Sequence, residues 1–111
     1  ENALSLHEHI EVACVVGVNL PQPMGLILLT PQARLIPQAE LIQSLEKLLH
    51  AVNPLFKKYE YLKKLIVMQE PWTVENACLT PTLKIRRMQI EKNVEERMEE
   101  WYLTDQTIIF E

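Results

Sequence analysis

Cysteine is scarce in this chain of 111 residues: Cys14 and Cys78 are the only two, they lie far apart, and they form no CxxC pair. Zinc ribbons and disulfide frameworks need more cysteine at closer spacing, so neither is expected, and a reduced cytoplasmic setting fits. Positive charge is short as well. Eleven Lys and Arg stand against 15 Asp and Glu, a formal net charge of -4, which gives nucleic acid no broad basic face to hold. No apolar run approaches the roughly 20 residues that span a bilayer. Nothing at the N-terminus has the layout of a signal peptide, and no internal repeat or low-complexity tract interrupts the chain. The chain therefore reads as soluble.

What is present suits a single domain. The length and the 48% apolar content allow one core, with about two thirds of the unfolded surface buried on folding. Residues 1–7 read as helical without a cap, so the chain reads as starting inside an element, as a domain of a longer protein would. Residues 10–17 and 25–29 are apolar runs separated by proline-rich punctuation at 19–23, which predicts two strands covered by helices or set inside a sheet.

Thr30-Pro31 is suited to cap a helical turn, and a helix is expected over 37–52, where Leu41, Leu45, Leu48, Leu49 and Val52 share one face. Asn53-Pro54 should end it, with a short basic helix through Lys57, Lys58 and Tyr59 and a strand over 62–68. Residues 71–82 read as an irregular connector. A last helix is expected over 87–102, with Ile90, Val94, Met98, Trp101 and Tyr102 inward and Glu91, Glu95, Glu96, Glu99 and Glu100 on a solvated face. Residues 107–110 suit a small closing strand. The fold class is α+β, a small mixed sheet packed with helices.

Two segments carry a resemblance. One is Glu75, Asn76, Ala77, Cys78, Leu79, Thr80, Pro81, Thr82, Leu83 and Lys84, with Trp72 before it and Arg86 and Arg87 after; the other is the opening Glu1-Asn2-Ala3-Leu4 followed by residues 10–17. Together they are similar to the C-terminal domain of long-chain fatty-acid CoA ligases, within the adenylate-forming superfamily, where E-N-G-x-L-T-P-T-x-K precedes the last helix. The order of elements resembles the family over nearly the whole chain, and motif identity is concentrated at 72–87. Glycine is usual in the family where Ala77 stands, so a positive φ there would cost alanine roughly 1 kcal/mol or more. Lids of other superfamily members more often carry glycine directly before the lysine, where this chain has Leu83.

The resemblance implies a moving lid of a two-domain ligase. ATP and a fatty acid give acyl-AMP and pyrophosphate with Mg2+, and the CoA thiol then displaces AMP. It implies that Lys84 is the catalytic lysine of adenylation, reaching into the active site of a large N-terminal domain, and that the lid rotates about a hinge just before Glu1. ATP, Mg2+ and the acyl chain would be bound mainly by that large domain, so the isolated chain is expected to be inactive. Peripheral association of the parent with the inner membrane face stays open.

Around Lys84, Thr80 and Thr82 offer hydroxyls suited to phosphate, with a turn or cap role the alternative for Thr82. Arg86 and Arg87 offer contacts to the phosphates of CoA, or a merely solvated helix start. Outside this segment, the histidines of His7-Glu8-His9 are two apart, whereas HExxH needs them four apart on one helical face, so chance placement is the better reading. Cys14 reads as core, Cys78 as reactive only if exposed, and Trp72 as a packing anchor. The alternatives are the lid of an aromatic-acid ligase or peptide-synthetase adenylation domain, and a non-enzymatic module that binds a partner through the acidic last helix.

Overall fold

Sheet strands here are apolar on both faces because helices cover both. The computed structural model describes residues 7–17, 22–55 and 61–111. The helix expected over 1–7, apart from His7, which is in a bend, most of the turn expected over 19–23 and the basic helix expected through Lys57, Lys58 and Tyr59 lie outside those residues. Four strands, β1 (Ile10–Val16), β2 (Met24–Leu29), β3 (Lys64–Val67) and β4 (Ile108–Phe110), line up in the order β1-β2-β3-β4. β1 runs antiparallel to β2, while the β2–β3 and β3–β4 pairs are parallel. The sheet is thus mixed, and each parallel pair needs a crossover. Helix α1 (Gln38–Val52) belongs to the first crossover and α2 (Arg87–Leu103) to the second.

The period of two along each strand sorts side chains between the two helices. Ile27, Leu29, Leu65, Val67 and Ile108 join Leu41, Leu45, Leu48, Leu49 and Val52 of α1 in one cluster. Met24, Leu26, Leu28, Ile66 and Ile109 join Ile90, Val94 and Trp101 of α2 in the other. Every residue of β2 is buried, and each Leu or Ile hidden there contributes roughly 1.5–3 kcal/mol of transfer free energy. In β1 the register shifts between Ile10 and Val12. Across that irregularity the inward parity changes, so Ile10 and Ala13 face the same cluster, as a bulge requires. β1 lies at the sheet edge, yet Cys14 and Val16 are fully buried; the apolar run reports covered faces and not a central position.

Three local devices hold the elements in place. Thr30 Oγ1 accepts from Ala33 N–H at 3.1 Å and the Thr30 C=O accepts from Arg34 N–H at 3.2 Å, holding the turn that leads into the short 3-10 helix Ala33–Leu35. Asn53 stays in the right-handed helical region despite the proline that follows it, at φ -57 and ψ -41. The proline therefore tightens the chain into a 3-10 turn, Asn53–Leu55, where full release from helical geometry was expected. The Asn53 amide bonds both the N–H (3.0 Å) and the C=O (3.3 Å) of Leu62. Lys64 is buried and donates to the carbonyls of Thr104 and Gln106, both at 2.5 Å. The last turn of α2 carries no basic residue of its own, and Lys64 brings a cation to the carbonyl-rich C-terminal end from β3. Burial, with Lys63 next to it, holds the Lys64 ammonium below the usual lysine range, against Asp105.

Candidate functional site

The connector 71–86 is irregular in period but tightly built, as two consecutive turns. In the first, Thr73 and Asn76 bond reciprocally: Thr73 Oγ1 accepts from Asn76 N–H at 3.1 Å, and Asn76 Oδ1 accepts from Thr73 N–H at 3.0 Å. This is a capping-box arrangement with asparagine at the third position. The turn closes through Cys78 N–H to Thr73 C=O and Ala77 N–H to Val74 C=O, both 3.1 Å, the paired bonds of a Schellman motif. Asn76 also accepts from Cys78 N–H at 3.1 Å and donates to Pro71 C=O at 2.9 Å.

Ala77 takes the left-handed position of that motif, at φ 65, where glycine is the natural occupant. The expected glycine position thus has a physical reason, and alanine fills it at a cost of about 1–2 kcal/mol. The Ala77→Gly variant should be more stable by about 0.5–1 kcal/mol, because glycine relieves the strain but loses more chain entropy on folding. Urea unfolding checks this, and an unchanged or lower midpoint would contradict the strain.

The second turn presents Lys84. Leu79 and Ile85 form an antiparallel bridge. Between them Thr80 N–H donates to Lys84 C=O at 2.8 Å, and Leu83 N–H to Thr80 C=O at 2.7 Å. Leu83, like Ala77, sits at φ 65. An i to i+3 turn followed by a left-handed residue is the three-residue hairpin loop with a bulge, and glycine is again the preferred residue at that point. Leu83 is 69% exposed, so no packing interaction repays its strained backbone. Thr80 Oγ1 accepts from Lys84 N–H at 3.1 Å and shares a 3.0 Å hydrogen bond with Thr82 Oγ1. Lys84 and Arg86 are exposed, while Ile85 between them is half-buried against the α2-side core. Strand alternation thus turns both cations to the same outer side. Arg86 N–H returns to Cys78 C=O at 2.8 Å, tying the hairpin to the first turn. Among the described residues, no side chain pairs with the Lys84 ammonium.

Cys78, Trp72 and His7 have packed or hydrogen-bonded surroundings. Cys78 is buried, and its Sγ lies 3.5 Å from Asn93 Nδ2. Burial pushes its thiol above the ordinary range, with Glu70 in the same direction and Asn93 and Arg86 opposing, so it is no reactive thiol. Trp72 is buried in the α2-side core. His7 Nδ1 accepts from His9 N–H at 3.1 Å and its Nε2 lies 3.4 Å from Ser44 Oγ. Burial, with His9 close by, holds His7 below its usual value, against Glu8. Among the described residues no group of three or more His, Cys, Asp or Glu gathers to hold a metal ion. Glu95, Glu96, Glu99 and Glu100 are exposed on α2.

A family model described as the AMP-binding enzyme C-terminal domain matches residues 1–106. The chain belongs to that family. Mouse long-chain-fatty-acid–CoA ligase 5 is 39% identical over 46 residues, which is 41% of this chain and 7% of the mouse protein. The rat protein of the same name is 37% identical over 46 residues, again 41% of this chain and 7% of the relative. This AMP-binding C-terminal domain thus spans a small fraction of the length of those relatives. The A-PCP didomain of a carboxylic acid reductase from Segniliparus rugosus, solved in complex with AMP, superposes with a TM-score of 0.76 over 92% of this chain and 15% of that one, at 21% identity. That likeness shows the shared α+β fold.

Proposed function

We infer that this AMP-binding C-terminal domain is the lid of an ATP-dependent ligase that joins a long-chain fatty acid to CoA, and that Lys84 is its adenylation lysine. The observation that carries this reading is the hairpin 80–84, whose bonds fix the Lys84 backbone while its ammonium meets no partner among the described residues. Adenylation brings a carboxylate against an α-phosphate that is itself negative. A cation poised between them offsets charge that grows on the in-line transition state. Lysine suits the task as a point charge on a flexible stem. We assign to Thr82 and Arg86, both exposed on this hairpin, contacts to phosphate, from ATP or from CoA.

The part assigned to this chain in that reaction rests on its own cation, Lys84. A large adenylating domain would hold ATP, Mg2+ and the acyl chain, and the lid would rotate for thioester formation. The similarity to the mouse and rat ligases over 46 residues supports a long-chain acid over an aromatic or amino acid, as does leucine directly before Lys84.

Acid-dependent exchange of pyrophosphate into ATP tests the substrate class in a ligase carrying this domain. Oleate should support exchange, and benzoate and free amino acids should not. Exchange with benzoate or an amino acid alone would move the chain to the lid of a different adenylate-forming enzyme.

A further inference from the structure

We propose that Thr80 is the positioning residue of Lys84, acting through its hydroxyl on the lysine backbone and not as a direct contact to phosphate; this rests on the functional reading of Lys84 above. The hydroxyl accepts from Lys84 N–H at 3.1 Å, and among the described residues that N–H has no other acceptor. The second partner of Thr80 Oγ1 is Thr82 Oγ1 at 3.0 Å. One side chain therefore ties the last residue of the loop to its first and braces the middle.

The need for that brace follows from Leu83. A left-handed leucine with little packing is strained; the 2.8 Å bond from Thr80 N–H holds the Lys84 carbonyl, and the N–H of the 83–84 peptide, the one that relaxation at Leu83 would turn, is held by the Thr80 hydroxyl. Relaxation at Leu83 rotates the peptide plane that leads into Lys84, and a long side chain multiplies that rotation at its ammonium. Displacement of a catalytic group by about 1 Å costs on the order of a hundredfold in rate. The hydroxyl accepts from the Lys84 N–H, and when its own proton is donated to Thr82 Oγ1, one of the two directions the 3.0 Å contact allows, it has no donor left for a phosphate oxygen.

Two readouts test the assignment. Thr80→Val keeps the branched shape and removes the hydroxyl, and Thr80→Ser restores it. In this chain, amide hydrogen exchange at Lys84 should quicken on the order of tenfold in the valine variant and return to the wild-type rate in the serine variant. In a ligase carrying the domain, Thr80→Val should lower kcat for pyrophosphate exchange roughly tenfold with KM for ATP unchanged, and Thr80→Ser should recover it. A raised KM for ATP at constant kcat would make Thr80 a phosphate ligand and overturn the proposal. So would an unchanged Lys84 amide, or a loss of amide protection without any loss of kcat. Full exchange activity in a Lys84→Ala variant would instead remove the functional reading itself, whatever the Lys84 amide does.

Discussion

Replacing Asn76 with alanine is expected to destabilise the domain by roughly 2–3 kcal/mol, lowering the thermal midpoint by about 10 °C. The Asn76 side chain serves three backbone groups at once: it accepts from Thr73 N–H and Cys78 N–H and donates to Pro71 C=O. Each bond is worth about 1 kcal/mol net, and water replaces them only in part because the turn is half-buried. Asn76→Asp keeps both acceptor bonds and loses the donor to Pro71, so it should fall between the two. Thermal denaturation followed by far-UV circular dichroism decides the matter, and a shift under about 2 °C for the alanine variant would mean that water satisfies the turn equally well.

Much of this fold was legible in the chain because apolar spacing controls it. The stripe Leu41, Leu45, Leu48, Leu49 and Val52 is the buried face of α1. Ile90, Val94 and Trp101 are buried on α2 with Met98 and Tyr102 packed against the same core. The small closing strand lies at Ile108–Phe110. Sheet order was not legible, because an edge strand covered by helices on both faces has the same composition as a central one.

The connector 71–82 shows a different limit. Periodicity reports burial, and the turns there are fixed by hydrogen bonds of Thr73, Asn76 and Thr80 that leave no periodic trace. The Thr-x-x-Asn spacing of a capping box was the available signal for the first turn. Buried Lys64 was missed altogether, since a lysine opening an apolar strand looks solvated until the carbonyls of Thr104 and Gln106 are brought to it. The departure at Ala77 was visible as a missing glycine, and the positive φ there and at Leu83 explains why glycine suits both positions.

The second large effect is on activity. Lys84→Ala in a ligase carrying this domain should lower acyl-adenylate formation by at least about a hundredfold, the scale of removing one preorganised charge from a developing oxyanion. Stability should hardly change, because the Lys84 side chain is exposed and its backbone bonds survive the substitution. Lys84→Arg keeps the charge but presents a planar fork in place of a compact ammonium, so recovery should be partial. A folded protein with a selective kinetic defect would separate a transition-state contact from a structural one.

The most direct measurement follows the two half-reactions of the Lys84→Ala variant side by side, pyrophosphate exchange for acyl-adenylate formation and CoA-dependent thioester formation from supplied acyl-adenylate. The predicted result is a loss of two or more orders of magnitude in exchange with the second step preserved, since only a contact made in the adenylation transition state is selective in that way. Equal rates in both steps for variant and wild type would contradict the account and return Lys84 to the solvated surface.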